Sequence, residues 1–262
     1  MGGLSQRPSP FAAVRSLGAA ALNIFYPPRC PGCRRPDAAE VPDSARLCSP
    51  CADELEAVSA PFCERCGETF AGNMGTPPRS FECSNCLGRK LAFDFAIASY
   101  EATELTRELV HRFKYQGEFH LRRVLGAMLL PALSDPRIAA QGEWVMIPVP
   151  LHRRRRQERE FNQAAEISRF ASKWAGFPVA DVLKRTRYTT QQAQLDRKER
   201  LENLRDAFAL RNPQRAAQDL TGKNILLVDD VFTTGTTVNE CARVLRTTLN
   251  PANLAVVTVA RG

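Results

Sequence analysis

Two sets of residues in this sequence have the types and the spacing for chemistry. The first is eight cysteines in four C-x-x-C pairs: "CPGC" (Cys30, Cys33), "CSPC" (Cys48, Cys51), "CERC" (Cys63, Cys66) and "CSNC" (Cys83, Cys86), all within 57 residues. The second is "NILLVDDVFTTGTT", from Asn224 to Thr237. There an apolar run leads into two adjacent carboxylates and then into a turn of threonines around one glycine.

A C-x-x-C turn lets two thiolates face one ion, and two such turns complete a tetrahedral zinc site with no open position. The gaps of 14 residues (Cys33 to Cys48) and 16 residues (Cys66 to Cys83) are close to zinc-ribbon spacing. Gly32, Gly67 and Gly88 suit the tight turns of such knuckles. The expected pairing is sequential, with Cys30, Cys33, Cys48 and Cys51 on one zinc and Cys63, Cys66, Cys83 and Cys86 on the other. An interleaved cross-brace uses the same eight ligands and stays open at this point. Disulfides fit poorly, because the first residues do not form a good secretory signal. Four pairs are also too many for one redox motif. The two zincs are therefore expected to be structural, folding a segment with little core of its own.

In the second set, Asp229 and Asp230 leave a buried strand just before a turn that opens a helix. Unpaired N–H groups at a helix N-terminus hold phosphate. Gly235 permits close backbone approach, and Thr233, Thr234, Thr236 and Thr237 offer hydroxyl donors. Two carboxylates would repel a bare phosphate, but they accept hydrogen bonds from sugar hydroxyls and can help hold a hydrated magnesium ion. A ligand with a phosphate at one end and a diol at the other, such as a ribose 5-phosphate, has the matching shape.

The elements that must carry these groups alternate from Leu91 onward. "FDFAIASY" reads as a strand, and "TELTRELVHRFKYQG" as a helix ended by Gly117, with Leu105, Leu109 and Phe113 four apart. "LRRVLGAMLLPAL" reads as a second helix, "WVMIPVPL" as a strand, and "EFNQAAEISRFASKWAG" as a helix closed by Gly176. "NILLVDD", "TTVNECARVLRTTL" and "LAVVTVAR" follow as strand, helix and strand. This alternation predicts an α/β fold, a parallel sheet flanked by helices on both faces. Ligands in such sheets sit at the carboxyl ends of the strands. The expected organisation is an N-terminal amphipathic helix over 1–26, a double zinc ribbon over 27–90 and the α/β domain over 91–262. The helix would bury Phe11, Val14, Leu17, Leu22 and Phe25. Residues 71–80 read as a loop inside the second ribbon.

"ILLVDDVFTTGTT" resembles the phosphoribosyl-pyrophosphate loop of type I phosphoribosyltransferases, with Phe232 where an aliphatic residue is more usual. "FKYQGEF", "IPVPLHRRRRQEREFNQA" and "RTRYTTQQAQLDRKERLENLRDAF" are similar to stretches of ComF-type proteins, which join a zinc ribbon to a phosphoribosyltransferase-like domain. The likeness covers about residues 20–262. Glu160 departs from it, since glycine is usual before "FNQ". The resemblance implies that Thr234, Gly235, Thr236 and Thr237 cradle a 5-phosphate, with Asp229 and Asp230 on the ribose hydroxyls as the catalytic pair. It places a pyrophosphate loop at Leu151, His152 and Arg153, and Lys114 and Tyr115 near the site. It also places a closing loop around Thr189 to Gln194. The implied ligands are magnesium with phosphoribosyl pyrophosphate, or a nucleotide. The implied role is in natural transformation, handling incoming single-stranded DNA beside a DNA helicase. A phosphoribosyltransferase acting on an unidentified acceptor is the alternative.

Charge and composition are compatible with both. The 262 residues carry a net charge of +8, of which residues 91–262 hold +7. That excess suits anionic partners. With two tetrathiolate zincs, the part before residue 91 falls to about −3. The chain is thus asymmetric in charge. No apolar run reaches the ~18–20 residues of a membrane span, and a cytoplasmic protein is expected. Residues 151–160 carry five arginines and two glutamates, fit for a diphosphate or nucleic-acid contact or for a solvated loop. His111 and His120 have no partner at metal spacing, and Cys241 reads as a small core residue. Asn162 and Gln163 suit either a helix cap or a ligand contact.

Overall fold

The computed structural model describes residues 29–35, 47–70, 81–187 and 206–262. The expected N-terminal helix, the 71–80 loop and the Thr189–Gln194 loop lie outside these residues. Among the described residues, the centre is a four-stranded, all-parallel sheet. Its strands are β1 (Phe95–Glu101), β2 (Trp144–Pro148), β5 (Asn224–Phe232) and β6 (Leu254–Arg261), in the spatial order β1-β6-β5-β2. Two three-residue strands, β3 (Leu183–Arg185) and β4 (Phe208–Leu210), form a separate antiparallel pair. No helix among the described residues is long and apolar enough to cross a membrane.

The side-chain alternation of β5 builds two cores. Ile225 and Leu227 point to one face, where they meet Cys241, Leu245 and Leu249 of helix α9 (Thr236–Leu249). Leu226 and Val228 point to the other, where they meet helix α2 (Glu104–Tyr115), helix α3 (Arg122–Met128) and helix α7 (Gln163–Ala175). All four of these β5 residues are fully buried. A strand buried on both faces must be apolar at consecutive positions, as "ILLV" is. Cys241 is a fully buried core residue, as expected.

The strands and the long helices match the sequence reading closely, with one instructive difference. "LRRVLGAMLLPAL" is not one helix. A 3₁₀ turn (Phe119–Leu121), α3 and the four-residue α4 (Leu130–Leu133) divide it. Pro131 supplies no N–H and its ring crowds the carbonyl four residues earlier, so the helix restarts there. The short helices α5 (Pro136–Ala139) and α8 (Pro213–Leu220) complete the domain.

The ribbons lie on either side of this body. Helix α1 (Ser49–Asp53) follows the knuckle cysteine Cys48. The connector between the ribbons covers the outer edge of β1. There Val58 donates its N–H to the Ser99 carbonyl (3.1 Å) and Glu101 donates to the Glu56 carbonyl (2.8 Å). An open strand edge is thereby closed to other chains.

Candidate functional site

The cysteines fall into two tetrads, Cys30/Cys33/Cys48/Cys51 and Cys63/Cys66/Cys83/Cys86, so the pairing is sequential. The sulfurs of each set lie within 4.8 Å of one another. The Sγ–Sγ separations of Cys33–Cys48 (3.7 Å) and Cys66–Cys83 (3.4 Å) are near the roughly 3.8 Å edge of a tetrahedron with 2.3 Å zinc–sulfur bonds. The two sets share a further detail. The N–H of Cys48 points at Cys30 Sγ (3.3 Å) and that of Cys83 at Cys63 Sγ (3.4 Å), each stabilising a thiolate. The donor sets fit zinc, and four sulfurs leave no position for substrate, so the clusters are structural.

The second constellation lies at the carboxyl end of β5. Strand β5 delivers Asp229 and Asp230, and α9 begins at the turn behind them. Gly235 caps α9 with φ +70°, and a Cβ there would sit 2.5 Å from the ring of Phe232. Both facts require glycine. Phe232 is buried under the turn and meets Phe93 edge to face at 6.1 Å. The bulky residue that departed from the resemblance is thus the floor of the loop. Thr236 is buried, its hydroxyl 2.9 Å from that of Thr234.

A cleft of about 380 Å³ opens here, lined by Asp229, Asp230, Thr233, Thr234, Gly235, Thr236 and Thr237. Lys114, in the last turn of α2, forms the opposite wall and reaches Asp230 with Nζ–Oδ1 2.6 Å. Asp230 is only 6% exposed and needs that partner. Asp229 accepts the N–H of Asp230 at 2.9 Å. Burial, and then the Asp230 carboxylate, push the Asp229 carboxyl from its ordinary 3.8 up to about 7, while Lys114 pulls the other way. The lining holds four cations, Lys114, Arg155, Arg159 and Arg185, against these two acids. The arrangement offers hydroxyl donors and a helix N-terminus at the threonine turn, and acceptor oxygens at the acid pair.

The proposed pyrophosphate loop divides. Leu151 lines the cleft. His152 caps helix α6 (Arg153–Arg159), its Nδ1 accepting the Arg154 N–H at 3.3 Å. Residues 153–159 are therefore helical, not a loop. The arginine run splits by helix geometry. Arg155 and Arg159, four apart, face the cleft. Arg153 and Arg156 face a neighbouring groove with Lys184 and Arg211. Glu160 ends α6 at φ +66°, the conformation that glycine, usual at this position by resemblance, adopts without strain. Asn162 donates to the Val149 carbonyl (3.0 Å), while Gln163 is buried in the cleft lining and accepts from Arg159 (3.3 Å). Tyr115 stacks beneath Arg159, 4.6 Å from its ring centre. Arg155 and Arg159 belong to the arginine-rich stretch 151–160 that the sequence offers for a diphosphate or nucleic-acid contact, without showing which of its arginines face the cleft, and Arg185 has no sequence signal of its own. The i, i+4 spacing of the first two was the available signal.

The fold and the two constellations define a phosphoribosyltransferase-type α/β domain joined to a double zinc ribbon. Family models agree. A double zinc ribbon domain matches residues 21–87 and a phosphoribosyl transferase domain matches residues 163–262. Among curated relatives, "Competence protein F" of Haemophilus influenzae is 32% identical over 203 residues, covering 76% of this chain and 84% of that protein. "DNA utilization protein YhgH" of Escherichia coli K12 is 27% identical over 202 residues (76% and 83%). "Competence protein ComFC" of Bacillus subtilis is 23% identical over 224 residues (82% and 84%). The chain belongs to the ComF family.

Proposed function

We infer that the cleft binds magnesium–phosphoribosyl pyrophosphate or a related ribose 5-phosphate ligand, and that the chain acts in the cytoplasm in natural transformation, on incoming single-stranded DNA. The observation that carries the ligand reading is the meeting of Asp229 and Asp230 with the N-terminus of α9 in one cleft. The phosphate takes the N–H groups and hydroxyls of Thr234 to Thr237. The ribose diol donates to the two carboxylates, and Lys114 stands beside them, paired with Asp230. Magnesium would arrive with the diphosphate and be held, through water, at Asp229 and Asp230, neutralising that group's charge. The names of the relatives, competence and DNA utilization, support the DNA role. So does the net charge of +7 over residues 91–262. Arg153, Arg156, Lys184 and Arg211 give the rim of the cleft a basic surface for a nucleic-acid backbone. A DNA helicase is the partner this role calls for.

Calorimetry of the zinc-loaded chain with phosphoribosyl pyrophosphate and magnesium tests the pocket. One-site binding is expected, lost in Asp229→Asn/Asp230→Asn. Absence of binding in the unaltered chain refutes the ligand reading. Single-stranded DNA binding should weaken steeply with salt, and by less after Arg153→Ala/Arg156→Ala.

A second reading, transfer of the phosphoribosyl group to an acceptor, rests on Arg155, Arg159 and Arg185 lining the same cleft as the threonine turn. They are placed to hold a departing diphosphate. The positive charge developing at the sugar carbon would be stabilised by Asp229 and Asp230. Release of pyrophosphate on adding candidate acceptors would establish it.

A further inference from the structure

The phosphate loop is braced from outside. Three consecutive carbonyls, those of Phe232, Thr233 and Thr234, accept hydrogen bonds from two arginines, and that of Phe232 also accepts the Gly262 N–H (2.9 Å). Arg261, at the end of β6 and only 5% exposed, donates from Nη1 to the Phe232 carbonyl (3.1 Å) and the Thr233 carbonyl (3.0 Å). Its Nη2 donates to Glu68 Oε2 (3.0 Å) and lies 3.9 Å from Cys66 Sγ. Glu68 Oε2 also accepts from Asn85 Nδ2 (2.7 Å), inside the "CSNC" knuckle. Arg89, just past that knuckle, donates from Nη1 to the Thr234 carbonyl (3.1 Å) and to the Asn85 carbonyl (3.2 Å). Both arginines therefore bond the phosphate loop on one side and the second ribbon on the other.

We propose that Arg261 and Arg89 are positioning residues that couple the second zinc ribbon to the phosphate loop, so that zinc on Cys63, Cys66, Cys83 and Cys86 and phosphate at the α9 N-terminus stabilise each other. The peptide unit is planar and trans, so each N–H points opposite to the carbonyl of the preceding residue. Holding the carbonyls of residues 232, 233 and 234 toward the ribbon turns the N–H groups of Thr233, Thr234 and Gly235 away from it, toward the cleft. A guanidinium is suited to this because its planar fork serves two carbonyls and a carboxylate at once, where an ammonium cannot. The contact of Arg261 with Glu68 and Cys66 belongs to the outer shell that orients metal ligands. Energetic coupling of two sites is reciprocal: whatever zinc contributes to phosphate binding, phosphate returns to zinc retention.

The ligand arm of the test rests on the ribose 5-phosphate reading above; the loop arm does not. Arg261→Gln and, as a half-exposed second variant that keeps the fold, Arg89→Gln are prepared in the full chain. Zinc content is confirmed at two per chain. Amide hydrogen exchange over residues 232–237 should accelerate in both variants relative to the unaltered chain. Unchanged exchange there overturns the proposal. Zinc release to a chromophoric chelator is then followed with and without ribose 5-phosphate. One of the two zinc equivalents should be retained longer with ligand in the unaltered chain, by on the order of tenfold, and this protection should vanish in Arg261→Gln. Binding of ribose 5-phosphate without any protection of zinc overturns the coupling. Failure of ribose 5-phosphate to bind the unaltered chain refutes the ligand reading, and the exchange measurement still decides the positioning role.

Discussion

The two ribbons share a motif and differ in how they join the molecule. In the second, all four cysteines are buried, and they belong to the same apolar core as Ile225 and Leu227 of the sheet. In the first, Cys33 is exposed and Cys48 half-buried. Its knuckle is held by one helix. Arg112 of α2, 2% exposed, donates to the carbonyls of Pro31 (2.7 Å) and Gly32 (3.3 Å). Glu118 joins Arg112 and Arg34, each at 2.6 Å. Helix α2 is also the one that presents Lys114 to Asp230. The same eight-cysteine pattern thus serves two purposes: the second ribbon is part of the domain's interior behind the threonine turn, and the first is a clamp on the helix that carries Lys114.

The largest expected effect tests that difference directly. Cys63→Ser removes a ligand from a site built into the core, and loss of the cooperative thermal transition of the whole chain is expected. Cys33→Ser should cost one zinc and leave the α/β domain folded. Metal content with calorimetric unfolding reads both, and equal damage by the two would erase the distinction. Next in size, Arg112→Gln leaves Glu118 and two carbonyls of the first knuckle short of a donor. A loss of about 2–3 kcal/mol is expected in denaturant unfolding. Binding of ribose 5-phosphate should weaken as well, because Lys114 rides on the same helix.

A pH effect comes third, from the acid that lies between the two walls. The Asp229 carboxyl is raised from 3.8 to about 7, chiefly by burial. An acid shifted upward imposes no penalty below its unfolded pKa and a growing one as pH rises toward its folded value. Asp229→Asn should therefore stabilise the chain at pH 8 and do so less at pH 5, as thermal scans at the two pH values would show. Equal shifts would mean that the carboxyl titrates normally. The smallest expected effect lies outside both ribbons. Glu160→Gly relieves a left-handed residue and should add about 1 kcal/mol, with zinc content unchanged.

The sheet, the long helices and both constellations were legible because each is local. The apolar run of β5, the four-residue periodicity of α2 and the C-x-x-C turns are written in consecutive residues. The break at Pro131 was legible in principle and was outweighed by the apolar periodicity around it. What the sequence conceals is distance. Nothing near Arg261 announces that it will hold Glu68, 193 residues earlier. Arg155 and Arg159 point into the cleft only because residues 153–159 coil into a helix, which turns a run of like charges into two faces. Leu151 lines the cleft, and the charge beside it comes from Arg155 and Arg159, further along the chain.

The tie between Arg261 and Glu68 also bears on how the chain is made. The ligands of the second ribbon are close in sequence, so the knuckles can load metal as soon as they leave the ribosome. β1, which takes the Arg65 carbonyl on the Ala96 N–H (3.0 Å), follows at once, but β6 is not yet there. At about 5–20 residues per second, translating the intervening segment takes roughly 10–40 s. For that interval a metal-loaded ribbon has only part of its core-facing side covered, by Phe93 and Ala96. The remainder stays uncovered until β5 and β6 arrive and the threonine turn and ribbon close on each other.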